Sequence, residues 1–573
     1  MSDTAIPSQP QSQSTTRRTG MAIFSGRRGL KRREALLAYL FLSPAIIIIG
    51  LFGLFPLVFS AYQSTRAGLN NVVGRPDGLG QYVRAIDNLA YVLAFWLALF
   101  FIAVVIRNIN EMFATARAKN ENPWRWLLPA FFSAAALALM LWLVFIFMPG
   151  LLEIGEKLVG FTAEERNALF PQFLAEAWNA PGVASNFYLA VLALILSGAS
   201  YYYLQKNTAA TLRDGFYTGK WVTAVFLLIM ATALTWLTFN EIQLAFAEAL
   251  EEGETLDIWA QIVTISAGFV LLLLSWLVWR TAAQRDSNLQ TFLYFFAGIL
   301  LMVGGWVLIS ELPAIIAEGD KDWWISLRTT IFYVIGALPA ELFLGLVLAT
   351  LLFQEIKGKG LLRMIYFLPY ITPAVGAAAV FKVLFSGNPT GTINTLLASF
   401  GLAPLGWLNE PNGINELIGG ALNLNVPEWA AGPSLALVVA IIFGIWKYTG
   451  YNVVFFLAGL GNISREYYEA ASMDGAGRWA QFRHITLPLL SPITYFLTIF
   501  GIIGTFKAFN TIFVLRSRAA LGTMDTASLV IFDAFNRDTR IGYAAALGIC
   551  LLIVILSATA LMDRFAKGRV FYG

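Results

Sequence analysis

The sequence predicts an all-α, polytopic membrane protein of about twelve transmembrane helices, and three observations carry that prediction. Hydrophobic residues make up 58% of the 573 positions and charged residues 13%, a balance too apolar for a water-soluble protein of this length. The mean hydropathy, +0.67, agrees. The apolar residues gather in runs that meet the ~20 helical residues needed to cross a bilayer. Between those runs the Lys and Arg positions alternate with acidic ones, as expected when basic loops face the cytoplasm.

Residues 1–34 are rich in Ser, Thr, Gln and Arg without apolar periodicity, and read as a disordered basic arm. Arg27, Arg28, Lys31, Arg32 and Arg33 crowd against the apolar run 35–62, which places the arm in the cytoplasm. That run is too long for a signal-peptide core and lacks a small-residue cleavage site at the expected distance. It is expected to be a retained first span. With the outer loop after it, it forms a first core segment, 35–88.

Residues 89–322 hold about six further runs of spanning length, near 89–106, 126–149, 185–204, 221–240, 258–279 and 291–312. Basic clusters at 107–125, 206–220 and 280–285 alternate with acidic ones at 153–176, 241–257 and 311–322. An even number of added spans returns the chain to the side it left, so the block can be an insertion into a fixed topology. Three roles are open to it: a lipid-facing scaffold, a second transport path, or a surface that recruits another subunit.

The core resumes at 323–565. Pro369 and Pro373 lie four residues apart in a membrane segment, where they remove helix hydrogen bonds and kink the chain. Such irregular backbone survives in a bilayer only beside protein or a wet cavity. Glu341 and Lys447 fall near the middle of their spans, Lys382 and Lys507 nearer the outer ends. Glu341 reads either as half of a Glu–Lys pair inside the bundle or as a proton-coupled carboxylate. The span 491–515 leads to a loop, 516–540, whose Arg516, Arg518, Arg537 and Arg540 fall on the expected outer side, against the charge rule. Residues 566–573 form a cytoplasmic tail.

The longest polar passage between two apolar runs in the C-terminal half is the loop 461–492. Ser464 can cap a short helix, with Glu466 in its first turn. Tyr467, Ala470, Ala471 and Asp474 then share one face, and Asp474-Gly475-Ala476-Gly477 ends the helix. Trp479, Phe482 and Ile485 follow on a second amphipathic piece before Leu487-Pro488.

This passage resembles the cytoplasmic EAA loop of permease subunits in binding-protein-dependent ABC importers. The matching elements are Glu469-Ala470-Ala471, Asp474-Gly475 and Ile485-Thr486-Leu487-Pro488; Ser464 stands where a proline commonly follows the isoleucine. Gly78-Leu79-Gly80-Gln81-Tyr82, the two-proline segment and Gly391-Thr392-Ile393-Asn394-Thr395-Leu396-Leu397 also resemble the carbohydrate permeases of that family. The resemblance covers 35–88 and 323–565. It implies that Tyr467, Glu469, Ala470, Ala471, Asp474, Gly475 and Pro488 couple the chain to ATPase subunits.

The partners it implies are two ATP-binding cassette subunits, a second homologous permease and an extracytoplasmic sugar-binding protein, all at a prokaryotic inner membrane with both termini inside. It implies import of a sugar of the maltose, trehalose or glycerol-phosphate class. It also places Tyr451 where the maltose-type relative has a substrate-contacting tyrosine, and Thr505 near a polar contact position. Tyr448, Asn452, Phe509 and Asn510 complete the candidate substrate path, because sugar sites combine aromatic faces with amides and hydroxyls.

The residues themselves exclude other chemistry. One histidine and one cysteine, His484 and Cys550, leave no His-cluster or cysteine metal site and no disulfide. A phosphate-binding loop is absent: Gly215-Phe216-Tyr217-Thr218-Gly219-Lys220-Trp221 is one residue short and ends in Trp. The resemblance assigns ATP and Mg to the partner ATPase, and this chain is expected to bind no cofactor. The net charge of +4 reports topology, not nucleic-acid binding. A proton-coupled secondary transporter and a membrane-embedded glycosyltransferase are the competing functions. The first has no use for an EAA loop. The second would need acidic metal or catalytic residues at the membrane surface, whereas the acids here are scattered on outer loops without a pair motif.

Overall fold

The computed structural model describes residues 26–68, 74–207, 214–252, 258–283 and 288–570. Residues 1–25 of the arm, Arg213, Glu254, Asp257, Arg285 and 571–573 of the tail lie outside the described residues, as do the side chains of Arg27, Arg28, Lys31, Arg32 and Arg33. The chain divides into two units, Met1–Phe59 and Ser60–Gly573.

The first unit holds α1 (Gly26–Ile49), one π-helical turn, Gly50–Leu54, and the first residues, to Phe59, of α2 (Phe55–Gln63). Phe41 and Phe52 are about four-fifths exposed, at 81% and 78%. A helix apolar all round suits a lipid solvent.

The second unit starts with a short antiparallel pair, β1 (Arg66–Ala67) and β2 (Arg75–Pro76), and α3 (Gly80–Ile86). Six long helices follow: α4 (Leu89–Lys119), α5 (Leu127–Lys157), α7 (Val183–Asn207), α8 (Asp214–Glu252), α9 (Ile258–Ala282) and α10 (Asn288–Glu318). They extend past the apolar runs, by two or more turns in α4, α5 and α8 and by less than a turn at either end of α7 and α9. Between α5 and α7 the acidic segment forms an amphipathic helix, α6 (Ala163–Asn179), which apolar runs could not reveal. Its start is a capping box: Thr162 accepts from the Glu165 N–H while the Glu165 carboxylate accepts from the Thr162 N–H. That backbone donor holds the Glu165 carboxyl below its ordinary range.

The remaining helices are α11 (Lys321–Phe353), α12 (Lys359–Ile371), α13 (Ala374–Leu384), α14 (Thr392–Ser399), α15 (Ile414–Ala421), α16 (Leu435–Gly461), α17 (Arg465–Met473), α18 (Arg478–Gln481), α19 (Leu487–Leu489), α20 (Ser491–Phe506), α21 (Asn510–Leu515), α22 (Ala527–Asn536) and α23 (Ile541–Ala566). Among the described residues ten helices are long and apolar enough to span a membrane. The pairs α12–α13 and Arg478–Leu489 with α20, bent by 91° and 59°, raise the number to twelve. The fold is the all-α polytopic bundle the sequence predicts.

The central rod is α16, the most enclosed of the spans, packed against α11 and α12. Gly450 makes that packing possible: a Cβ there would lie 1.9 Å from the Tyr366 carbonyl oxygen. The outer loop is organised by Asn394, which is 1% exposed. Its Nδ2 donates to the carbonyls of Asn388 and Leu405, and its Oδ1 accepts from the Leu405 N–H and the Trp407 indole at 3.0 and 2.8 Å. One buried amide thus satisfies backbone that no helix could.

The expected span 491–515 is corrected. It breaks at Lys507 and restarts as α21 at Asn510. Lys382 caps the far end of α21, donating to the carbonyls of Val514 and Arg516 at 3.0 and 2.9 Å. The basic loop 516–540 is partly neutralised in place. Arg516 pairs with Asp525 and Asp533 at 2.6 and 2.7 Å, and Arg540 lies over the Tyr543 ring.

Candidate functional site

Two features of the second unit gather the residues singled out by sequence. The first is the loop between α16 and α20. Ser464 caps α17 by accepting from the Glu466 N–H at 3.3 Å. No residue of α17 is buried; Tyr467 and Met473 are 57% and 90% exposed. Glu469, Ala470 and Asp474 are exposed and Ala471 is half-buried.

Gly475, at φ +79°, ends the helix in the left-handed region. Its N–H donates to the Ser472 carbonyl and that of Ala476 to the Ala471 carbonyl, the two bonds of a Schellman motif. The opposite side is tied down. The Tyr468 hydroxyl bonds Thr486 at 2.9 Å, and Gln481 donates to Ser472 and to the Ala476 carbonyl. Pro488 sits half-buried in α19, beyond a π-helical turn over Phe482–Thr486. The result is a short, solvent-facing helix with small side chains at its centre.

The second feature is a cavity of about 320 Å³ between α11, the α12–α13 break, α16 and the α20–α21 break. Tyr448, Tyr451, Asn452, Thr505, Phe509 and Asn510 all line it. They come from two segments on either side of the loop, and the fold brings them together. The Tyr451 ring lies 4.9 Å from Tyr370 and 6.1 Å from Phe500, so the wall is a band of aromatic faces. Thr505 spends its hydroxyl on the Gly501 carbonyl of its own helix, 2.8 Å away. Asn452 is 5% exposed and packs where Gly345 leaves room. Tyr333, Tyr370, Glu341 and Lys507 also line the cavity and were not among the expected path residues. Tyr370 was legible as the aromatic residue between the two prolines.

The Glu341–Lys pair is corrected. Among the described residues Glu341 makes no ion pair or hydrogen bond, and its Oε1 is buried without a partner. Lys447 turns instead to the kink. Its Nζ donates to the carbonyls of Pro369, Tyr370 and Thr372 at 3.3, 3.4 and 2.8 Å. The reason is local. In an unbroken helix the Pro369 carbonyl would accept from residue 373, a proline without an N–H. The two-proline break creates free carbonyls, and a buried ammonium on α16 satisfies them.

Comparison with known proteins gives a consistent picture. Residues 341–570 match the family described as "Binding-protein-dependent transport system inner membrane component". The arabinooligosaccharides transport permease AraP of Bacillus subtilis is 31% identical over 41% of this chain and 67% of its own length. The lactose transport permease LacF of Rhizobium radiobacter is 31% identical over 44% and 78%. The trehalose/maltose permease MalF of Thermococcus litoralis is 28% identical over 44% and 76%. A solved bacterial alginate ABC transporter aligns over 48% of this chain and 96% of that chain at 22% identity, with a TM-score of 0.36.

Proposed function

This chain belongs to the inner-membrane permease family of binding-protein-dependent transport systems, and from that premise we propose that it imports a sugar or oligosaccharide, powered by separate ATPase subunits. It is a multi-pass transport subunit, not an enzyme. The substrate is of the maltose, trehalose or glycerol-phosphate class, delivered by an extracytoplasmic binding protein. A second, homologous permease completes the passage. Names of relatives support the sugar assignment; the lining of the cavity supports it independently.

The observation that carries the proposal is the juxtaposition of the cavity and the exposed helix. The rod α16 lines the cavity with Tyr448, Tyr451 and Asn452, then leads through three residues into α17. On the far side Arg478–Leu489 leads into α20, which lines the cavity with Phe500 and Thr505. A push on α17 can therefore reach both walls, through the three-residue link to α16 on one side and through Arg478–Leu489, bent by 59° into α20, on the other. ATP binding elsewhere can bias two packings of this bundle only if the motor contacts them differently, and α17 with Glu469, Ala470, Ala471, Asp474 and Gly475 is the contact that does so. In the cavity, aromatic faces stack on the sugar, Asn452 and Asn510 offer amides, and Glu341 offers an unused acceptor. Residues 89–322 act as a scaffold flanking that core.

The test is uptake by the complete transporter in proteoliposomes. Uptake should persist with a collapsed proton gradient and stop without ATP; the reverse would favour a proton-coupled secondary transporter. Tyr451→Ala should impair uptake of maltose, trehalose or lactose and leave subunit assembly intact. Normal uptake by that variant would remove Tyr451 from the path.

A further inference from the structure

A second cavity, of about 480 Å³, opens between α4, α9 and α23, away from the site above. Its walls are apolar: Leu93 and Trp96 from α4, and Phe269, Leu273 and Trp276 from α9. The exception is Arg564, near the end of α23, whose guanidinium lies 5.5 Å from the Trp276 ring centre. Arg280 approaches the same indole at 5.7 Å. Two cations thus converge on one aromatic side chain at the end of an apolar slot.

Neither cation has a carboxylate or hydrogen-bond partner among the described residues. The acid beside Arg564, Asp563, is held by Lys567 at 2.9 Å and by the Tyr495 hydroxyl at 2.7 Å. Each guanidinium gains from the face of Trp276, and an anion within reach of both would add a charge-assisted contact to each. The slot supplies the rest. From Phe269 to Trp276 a helix rises about 10 Å, enough for half an acyl chain, and both Arg280 and Arg564 lie at the helix ends expected to face the cytoplasm.

We propose that this groove binds one anionic phospholipid of the inner leaflet, its acyl chain along α4 and α9 and its phosphate between Arg280 and Arg564. The lipid then joins the six-helix block to α23 of the core, where direct helix contact is sparse. Anionic headgroups are the partner that basic side chains at a cytoplasmic membrane surface select. The inference does not depend on what the transporter carries.

The experiment is native mass spectrometry of the detergent-purified full chain, titrated with dioleoylphosphatidylglycerol or dioleoylphosphatidylcholine. The wild type should prefer phosphatidylglycerol by at least about tenfold, the combined effect of two arginines near a membrane surface. The double variant Arg280→Ala/Arg564→Ala should lose that preference, and Arg107→Ala, an exposed arginine of α4 that pairs with Glu111, should keep it. Should the double variant fail to fold, Arg564→Gln alone should weaken the preference at unchanged melting temperature. Equal binding of the two lipids by the wild type, or an undiminished preference in the variants, overturns the proposal. So does a photoreactive residue at Leu273 that crosslinks in proteoliposomes to a protein instead of phosphatidylglycerol.

Discussion

Replacing Lys447 by methionine removes the donor that holds the kink between α12 and α13. The side chain keeps its unbranched shape, one heavy atom shorter, while three carbonyls, those of Pro369, Tyr370 and Thr372, lose their partner. The Thr372 bond, at 2.8 Å, is the strongest by distance, and the Pro369 carbonyl has no N–H to fall back on. An unsatisfied buried acceptor costs about 1–3 kcal/mol, so the gross loss is several kcal/mol. Against it stands the desolvation of the ammonium, also several kcal/mol, which methionine avoids. The net expectation is a destabilisation of about 2–4 kcal/mol, toward the low end of what breaking buried charged contacts costs.

Two assays read it. Thermal unfolding of the purified protein in detergent should show a midpoint lower by a few degrees, and uptake should fall because Tyr370, whose ring packs against Tyr451 in the cavity wall, shifts with the kink. In the Lys447→Met background, Pro373→Ala returns a backbone N–H and should recover part of the loss. Wild-type melting and uptake in Lys447→Met would show that the kink does not depend on the ammonium.

Gly475→Val should uncouple hydrolysis from uptake in the assembled transporter. Nothing lies within 4 Å of a Cβ at that position, so the cost is the backbone's alone: the left-handed conformation at φ +79° strains a β-branched residue by about 1–2 kcal/mol. Gly475→Asn, which tolerates that region, should stay coupled; equal ATPase-to-uptake ratios in all three proteins would count against the idea. Glu341→Gln should raise the half-saturation for sugar at unchanged assembly and Glu341→Leu should do so further, since the carboxyl has no partner to lose but a ligand hydroxyl; unaltered uptake curves would assign it a packing role.

Arg516→Met should destabilise the outer loop by about 1–3 kcal/mol, a partly exposed pair of bridges being worth less than a buried one. Burial pushes the Asp525 carboxyl above its ordinary value while Arg516 draws it down. A raised folded-state value favours the fold below the unfolded value, and that advantage fades as pH rises through the folded one. The loss in Arg516→Met should therefore be smaller in mild acid than at neutral pH; the opposite slope in melting experiments would contradict the assignment.

The spans were legible because the bilayer demands long apolar runs, and the loop 461–492 because Ser464, Glu466 and Gly475 write helix ends into local chemistry. The candidate path was legible only through its neighbours: Tyr451 and Thr505 are 54 positions apart, and their meeting depends on the loop folding back between them. What the sequence hides is pairing across distance. Lys447 answers carbonyls some 75 positions earlier, so a lysine that reads as half of an ion pair is in fact a cap. The break at Lys507 was equally hidden, since an apolar run with polar members reads as one helix until a cavity gives those members something to face. Helix α6 lies outside any apolar run, and only its capping box marks it.

The central claim is that α17 docks in a separate motor. The chain has one cysteine, Cys550, so Cys550→Ala gives a thiol-free background. Ala470→Cys in that background, crosslinked in native membranes, should join this chain to an ATPase subunit from the cytoplasmic side and do so differently with and without ATP. Labelling of that cysteine by a membrane-impermeant thiol reagent applied from outside, with no crosslink to a nucleotide-binding partner, would contradict the account.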